Sequence, residues 1–150
     1  MKVLKFGGTS VGSREGINQI LSIIKNQMTE DSHLLVVVSA FSGVTNNLIK
    51  LGKQAEVSDP EFHDTFEMIK KRHTQMTDDL FSEGRSTEIK KEVIKRLEEC
   101  RNIALGVNLI HDLSLKTLDN LMSFGERLSA YIINEYLITK GISSRFLDAR

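Results

Sequence analysis

Lys5, Gly7 and Gly8, with Thr9 and Ser10 beside them, are residue types suited to holding a phosphate. They stand where a short apolar strand, Val3 to Phe6, gives way to an amphipathic helix. Glycine lacks a Cβ, so a glycine pair lets the backbone bend tightly and press its N–H groups against a ligand. The helix that follows points the positive end of its dipole into the same space. Lys5, at the end of the strand, adds a mobile positive charge. The lysine precedes the glycines, so this is not a GxxxxGK[ST] loop, and no GxGxxG supports a dinucleotide fold. An ordinary tight turn between strand and helix would use the same glycines.

Composition narrows the class. The chain has 150 residues, 40% of them hydrophobic and 27% charged, which suits one globular domain. Twenty basic residues balance twenty acidic ones, so no overall field draws in nucleic acid or an anionic membrane. No apolar run approaches the ~20 residues that cross a bilayer, and no signal-peptide pattern opens the chain, so the expected compartment is the cytoplasm. The one cysteine, Cys100, falls on an apolar helical stripe and reads as a buried structural thiol. The four histidines lack HExxH spacing and no CxxC occurs, so a protein-built metal site has no support. His73 also falls on an apolar stripe, as a core-edge residue.

The elements that position the glycine segment follow from periodicity. Ser13 is suited to cap a helix carrying Ile17, Ile20, Leu21, Ile24 and Met28 on one face, with Gly16 as a costly interior residue. Leu34 to Val38 is a β-branched apolar run, expected as a parallel strand buried on both faces. A second helix carries Val44, Leu48, Leu51 and Ala55 inward. A third is expected from Asp59 and Pro60, with Phe62, Phe66, Ile69, Met76 and Leu80 inside. Ser82 to Thr87 reads as a connector before a helix bearing Ile89, Val93, Leu97, Cys100 and Ala104. Leu115, Leu118 and Leu121 suggest a short helix, and Phe124 to Lys140 a separate, deeply packed one. Ile142 to Leu147 reads as a third strand. The fold class is therefore α/β, a largely parallel sheet with helices on both faces.

Two further segments belong with the glycine turn. Ser39 to Asn46 leaves the carboxyl end of the second strand, where ligands bind in open α/β sheets. Ser123 to Ser129 contains Gly125, which allows close approach, and Glu126, read as a first-turn carboxylate of the last helix. Together, Lys5-Phe6-Gly7-Gly8-Thr9-Ser10-Val11, Ser39-Ala40-Phe41-Ser42-Gly43-Val44-Thr45-Asn46 and Ser123-Phe124-Gly125-Glu126-Arg127-Leu128-Ser129 resemble three ordered signature segments of aspartate kinases, within the amino-acid kinases. The long helical stretch between the second and third is closer to the bifunctional aspartate kinase–homoserine dehydrogenase type.

The resemblance implies the N-terminal part of an amino-acid-kinase (carbamate-kinase-like) fold. Residues 1–150 would be the N-terminal portion of the catalytic domain, with the nucleotide lobe, the acceptor-carboxylate arginine and regulatory domains downstream. It implies ATP-dependent phosphorylation of the side-chain carboxylate of L-aspartate, with Mg2+ held mainly by the nucleotide, and a homo-oligomer in the full-length enzyme. Lys5 would be catalytic, and Lys5, Phe6, Gly7, Gly8, Thr9 and Ser10 would hold phosphate. Ser39, Thr45 and Glu126 would hold aspartate, Glu126 facing its ammonium group. Structural uses compete with each role: Thr45 as a helix starter, Glu126 as a dipole-favoured acid, Ser39 as a plain strand end. Another acceptor (glutamate, acetylglutamate or a nucleotide) or a non-catalytic binding module are the alternative functions.

Overall fold

The computed structural model describes residues 1–28 and 33–148. Its elements run β1 (Lys2–Phe6), α1 (Arg14–Gln27), β2 (Leu34–Val38), α2 (Val44–Glu56), α3 (Phe62–Leu80), α4 (Glu83–Ile110) and α5 (Leu115–Thr139). β1 and β2 pair in parallel, from Lys2 opposite Leu34 to Phe6 opposite Val38. A parallel pair needs a crossover, and α1 supplies it. Ser13 lies in extended backbone and accepts the Gly16 N–H at 3.1 Å, which starts α1; Ile17, Ile20 and Ile24 are buried along it.

Gly16 proves to be required by space. A Cβ at that position would lie 2.2 Å from the Ser10 carbonyl oxygen. The glycine segment thus runs directly across the first turn of α1. Met28, expected on the inner stripe, is instead the exposed C-cap residue of that helix.

The sheet is covered on one face. Leu4, Phe6, Leu34 and Val36 pack against the core, whereas Val3, Leu35 and Val37 on the alternate face are 58%, 37% and 41% exposed. The α/β class and parallel pairing agree with the sequence reading; the expected cover on both faces, and burial of β2 from both sides, do not hold among the described residues. Side chains alternate along a strand, and no described element packs on the second face.

Helices α2 to α5 pack against one another with the expected apolar stripes inside, among them Leu48 and Leu51, Phe66 and Ile69, Val93 and Leu97, and Leu128 and Ile132. Their boundaries depart from the sequence reading at four places. α3 begins at Phe62, because Asp59 and Pro60 form a lead-in turn in which Asp59 Oδ1 accepts the Glu61 N–H at 2.9 Å. The connector shrinks to Phe81 and Ser82: buried Ser86 donates to Asp78 at 2.7 Å and pins the first turn of α4 to α3. α5 is one helix, not two, capped by Ser114, which accepts the Thr117 N–H at 3.1 Å. Residues 142–147 form no strand. Ile142 is buried, Phe146 meets Tyr131 edge-on at 6.1 Å, and Asp148 pairs with Arg127 at 3.3 Å, so this segment is held on α4 and α5 by side chains.

Polar ties close the bundle. Tyr136, buried in α5, donates its hydroxyl to Asn18 of α1 at 2.6 Å. Buried Gln54 accepts from Thr65 at 2.7 Å and joins α2 to α3. Cys100 is buried, and desolvation pushes its thiol up to about 12, which leaves it inert at neutral pH.

His73 is fully buried, deeper than its expected place at the core edge. Burial lowers its pKa to about 4; its 2.7 Å bond to the Ile69 carbonyl opposes that shift and nearby Arg72 reinforces it. The unfolded chain binds a proton near the ordinary value of 6.5, so between that pH and 4 the folded state is the poorer proton acceptor. Stability is full above this window and falls as pH drops through it, by about 3 kcal/mol from this group. Melting curves across pH 7 to 4 are expected to be flatter for His73→Leu than for the parent chain. Equal slopes would remove His73 as a cause.

Candidate functional site

Three segments meet at Ala40. The first is the glycine segment, closed by N–H bonds from Ser10 and Val11 to the Gly7 carbonyl at 3.0 and 3.2 Å and from Gly12 to Thr9 at 3.3 Å. Val11 is buried completely and anchors this turn in the core. Neither Gly7 nor Gly8 adopts a positive φ, so the bend itself does not demand glycine. Space favours it at one of them. A Cβ on Gly8 would lie 3.2 Å from the Ala40 carbonyl oxygen and 3.8 Å from Ser39 Oγ. Around Gly7 the corresponding space is empty, and the residue is exposed, which leaves its backbone open to a ligand.

Lys5 sits on β1 opposite Val37, exposed, on the uncovered face of the sheet with Val3 and Leu35. Phe6, the next residue, turns toward the core. Thr9 and Ser10 are exposed on the turn. Lys5 and the turn therefore adjoin along the chain, at the carboxyl end of β1.

The second loop leaves β2. Ser39 extends the sheet by donating its N–H to the Phe6 carbonyl at 3.0 Å. Phe41 and Ala40 are buried, and Gly43 takes a left-handed φ of 83° that turns the chain into α2. No side chain caps α2. Thr45 is half-buried in the first turn of α2, near the free amides of the helix start.

The third segment lies in the middle of α5. Glu126 is exposed there, well away from the helix start, so the dipole account of a first-turn acid does not apply to it. Gly125 explains its placement. A Cβ on Gly125 would lie 2.7 Å from the Ala40 Cβ and 3.4 Å from Leu48, so only glycine lets α5 come this close. Ser129, fully buried, donates its hydroxyl to the Ser39 carbonyl at 2.8 Å and secures the same contact one turn later. Ser39 and Ala40 thus touch the glycine turn on one side and α5 on the other.

The structure brings the three segments together while leaving Lys5, Gly7, Thr9, Ser10 and Glu126 accessible. Sequence reasoning missed Ser129 and Ala40 as the residues that fix the arrangement. A small residue one helical turn after Gly125 was the available signal. Among the described residues no group of three His, Cys, Asp or Glu side chains gathers to hold a metal ion. No helix among them is long and apolar enough to cross a membrane.

A parallel β-α-β unit with a glycine turn at the carboxyl end of its first strand is an arrangement suited to holding an anion, and its family is identifiable. Residues 1–150 match the amino acid kinase family, and the chain belongs to it. Within that family its similarity is to aspartokinases. It is 33% identical to Aspartokinase 1, chloroplastic, of Arabidopsis thaliana, over 98% of this chain and 25% of that protein. The Bifunctional aspartokinase/homoserine dehydrogenase of Buchnera aphidicola is 29% identical over 99% of this chain and 18% of its own length. The crystal structure of E. coli aspartokinase III in complex with aspartate and ADP superposes with a TM-score of 0.83 at 28% identity, covering 100% of this chain and 31% of that one. The chain spans about a quarter of the length of the plant relatives.

The contact at Ala40 generates a test. Gly125→Ala gains about 1 kcal/mol of helix propensity, yet overpacking against Ala40 costs about 1–3 kcal/mol, so net destabilisation is expected in denaturant titrations. Adding Ala40→Gly is expected to restore part of the loss. If the double variant is no more stable than Gly125→Ala alone, the contact does not set the packing.

Proposed function

We propose that this chain is the N-terminal portion of an aspartate kinase catalytic domain, which phosphorylates the side-chain carboxylate of L-aspartate at the expense of ATP. A carboxylate oxygen attacks the γ-phosphorus, the bond from that phosphorus to the β,γ-bridging oxygen breaks, and 4-phospho-L-aspartate and ADP result. The product is an acyl phosphate, the activated form from which lysine, threonine and methionine synthesis begins. The single observation that carries this reading is the meeting of the three signature segments at Ala40. Similarity to an enzyme crystallised with aspartate and ADP supports the substrate pair.

The chain's own residues divide the work. Phosphoryl transfer depends on placement and charge more than on covalent chemistry. The Gly7 and Gly8 amides hold the transferred phosphate, with Phe6, Thr9 and Ser10 completing the segment. Lys5 offsets negative charge as it builds on the equatorial oxygens. Thr45 and Ser39 hold the acceptor's carboxylate side, and Glu126 faces its ammonium group, so the site selects an amino acid bearing a cation as well as carboxylates. With no acidic cage among the described residues, magnesium is expected to arrive on the nucleotide, where it screens phosphate charge. The adenine contacts, the acceptor-carboxylate arginine, a homo-oligomeric assembly and the cytoplasmic setting belong to the same reading.

Turnover is read by coupled detection of ADP in the enzyme that carries this chain. Lys5→Ala is expected to lower kcat by about 10²–10³, with a stability change within about 0.5 kcal/mol, since Lys5 is exposed. Near-normal turnover would refute the role of Lys5. Glu126→Gln is expected to raise the KM for aspartate at least about tenfold, the loss of one charge-assisted contact. An acceptor panel decides specificity: preference for N-acetylated or nucleotide acceptors over aspartate would overturn the assignment of Glu126.

A further inference from the structure

Arg72 lies in α3, outside all three signature segments. Its Nη2 donates to the Gly12 carbonyl at 2.5 Å. The same guanidinium stands 5.7 Å from the centre of the Phe41 ring. Gly12 closes the phosphate-side turn, and Phe41 is the buried anchor of the acceptor-side loop. One planar group therefore touches both loops of the site. We propose that Arg72 is a positioning residue, which fixes the phosphate-side turn relative to the acceptor-side loop and so sets the distance over which the phosphoryl group must travel.

Three observations favour this role over that of a ligand-binding arginine. The guanidinium already serves the Gly12 carbonyl and the Phe41 face, both within the chain. The hollow beside it, of ≈ 360 Å³, is lined by Arg14 as well as by Glu15 and Asp79, so its two carboxylates offset its two guanidinium groups and leave no net positive charge to draw in an anion. The neighbouring His73 ring lies 5.4 Å from the Phe41 ring, so α3 braces that loop through two consecutive residues. The Gly12 peptide is planar, so holding its carbonyl also fixes the orientation of the Ser13 N–H at the entry to α1. Arginine suits the task because its fork donates in plane while its flat face stacks on an aromatic ring. Lysine keeps the charge and can still donate to the carbonyl, but it loses the planar fork and the flat face.

The inference rests on the kinase reading above, and its test separates the two. In the enzyme that carries this chain, Arg72→Ala is expected to lower kcat about tenfold or more while the KM for ATP and for aspartate each move less than about threefold, since a displacement near 1 Å costs that much in transfer but little in binding. Arg72→Lys is expected to recover part of kcat, and Arg72→Met none. A merely structural role would lower the melting temperature and leave kcat unchanged; a kcat for Arg72→Ala within about twofold of the parent overturns the proposal. If the parent enzyme does not phosphorylate aspartate, the functional reading fails, and the brace is judged by hydrogen exchange on that same full-length protein. There, Arg72→Ala is expected to speed exchange about tenfold at the Ser10, Val11, Gly12 and Val44 amides relative to those in the middle of α4. Uniform exchange across both regions overturns the proposal.

Discussion

The fold turns on a single close approach. Ala40 sits between Gly8 and Gly125, and a methyl group added to either glycine would collide with it or press hard upon it. A contact of this kind is repulsive in origin. It stabilises nothing by itself, but it disfavours any side chain at Gly125 strongly and at Gly8 more mildly, and so allows a loop and a helix to approach at backbone distance. The Ser129 bond to the Ser39 carbonyl then holds what the glycines permit. Burial of Val11 and Phe41 supplies the favourable energy that keeps both loops seated. On the proposed function, a ligand lying across the two loops would meet walls whose separation the chain itself has set.

Much of this was legible in the amino-acid order because periodicity reports burial directly. The stripes of α2, α3 and α4 were readable from Leu48, Phe66, Val93 and their neighbours, and the strand at Leu34 to Val38 from β-branching. Element ends were less so. A separate helix was expected to start at Phe124, whereas Gly125 lies in the middle of α5; the close approach it was read as allowing is to Ala40, which lies far away in sequence. Ile142 to Leu147 has strand-like residues, but Phe146 and Asp148 find partners on α4 and α5 and the backbone never reaches the sheet. Local preference lost to tertiary contact in both places.

The site was legible as three segments and illegible as an assembly. Lys5, Gly7 and Gly8 stood out as candidates by residue type and place, whereas Ser39, Thr45 and Glu126 became candidates through the resemblance of their segments to a family. Which of them owe their identity to packing was not legible: Gly8 is confined by Ala40, whereas Gly7 has open space where a side chain would go. Arg72 gave no signal at all, since an arginine on a helix with several charged neighbours reads as solvated surface. Its importance comes from where Gly12 and Phe41 happen to lie, and that is a property of the fold.

The ties of the site also differ in span from the rest of the molecule. Neighbouring helices such as α3 and α4, or α4 and α5, pack across short connections and can associate soon after they form. The bond from Ser129 to Ser39 joins residues 90 apart, and that from Tyr136 to Asn18 residues 118 apart. Closing loops of that length carries a larger entropic cost, so such bonds form late on the way to the native state. The helical framework is therefore expected to precede the cleft in time, and partial denaturation to loosen the contacts at Ala40 before most of the helices.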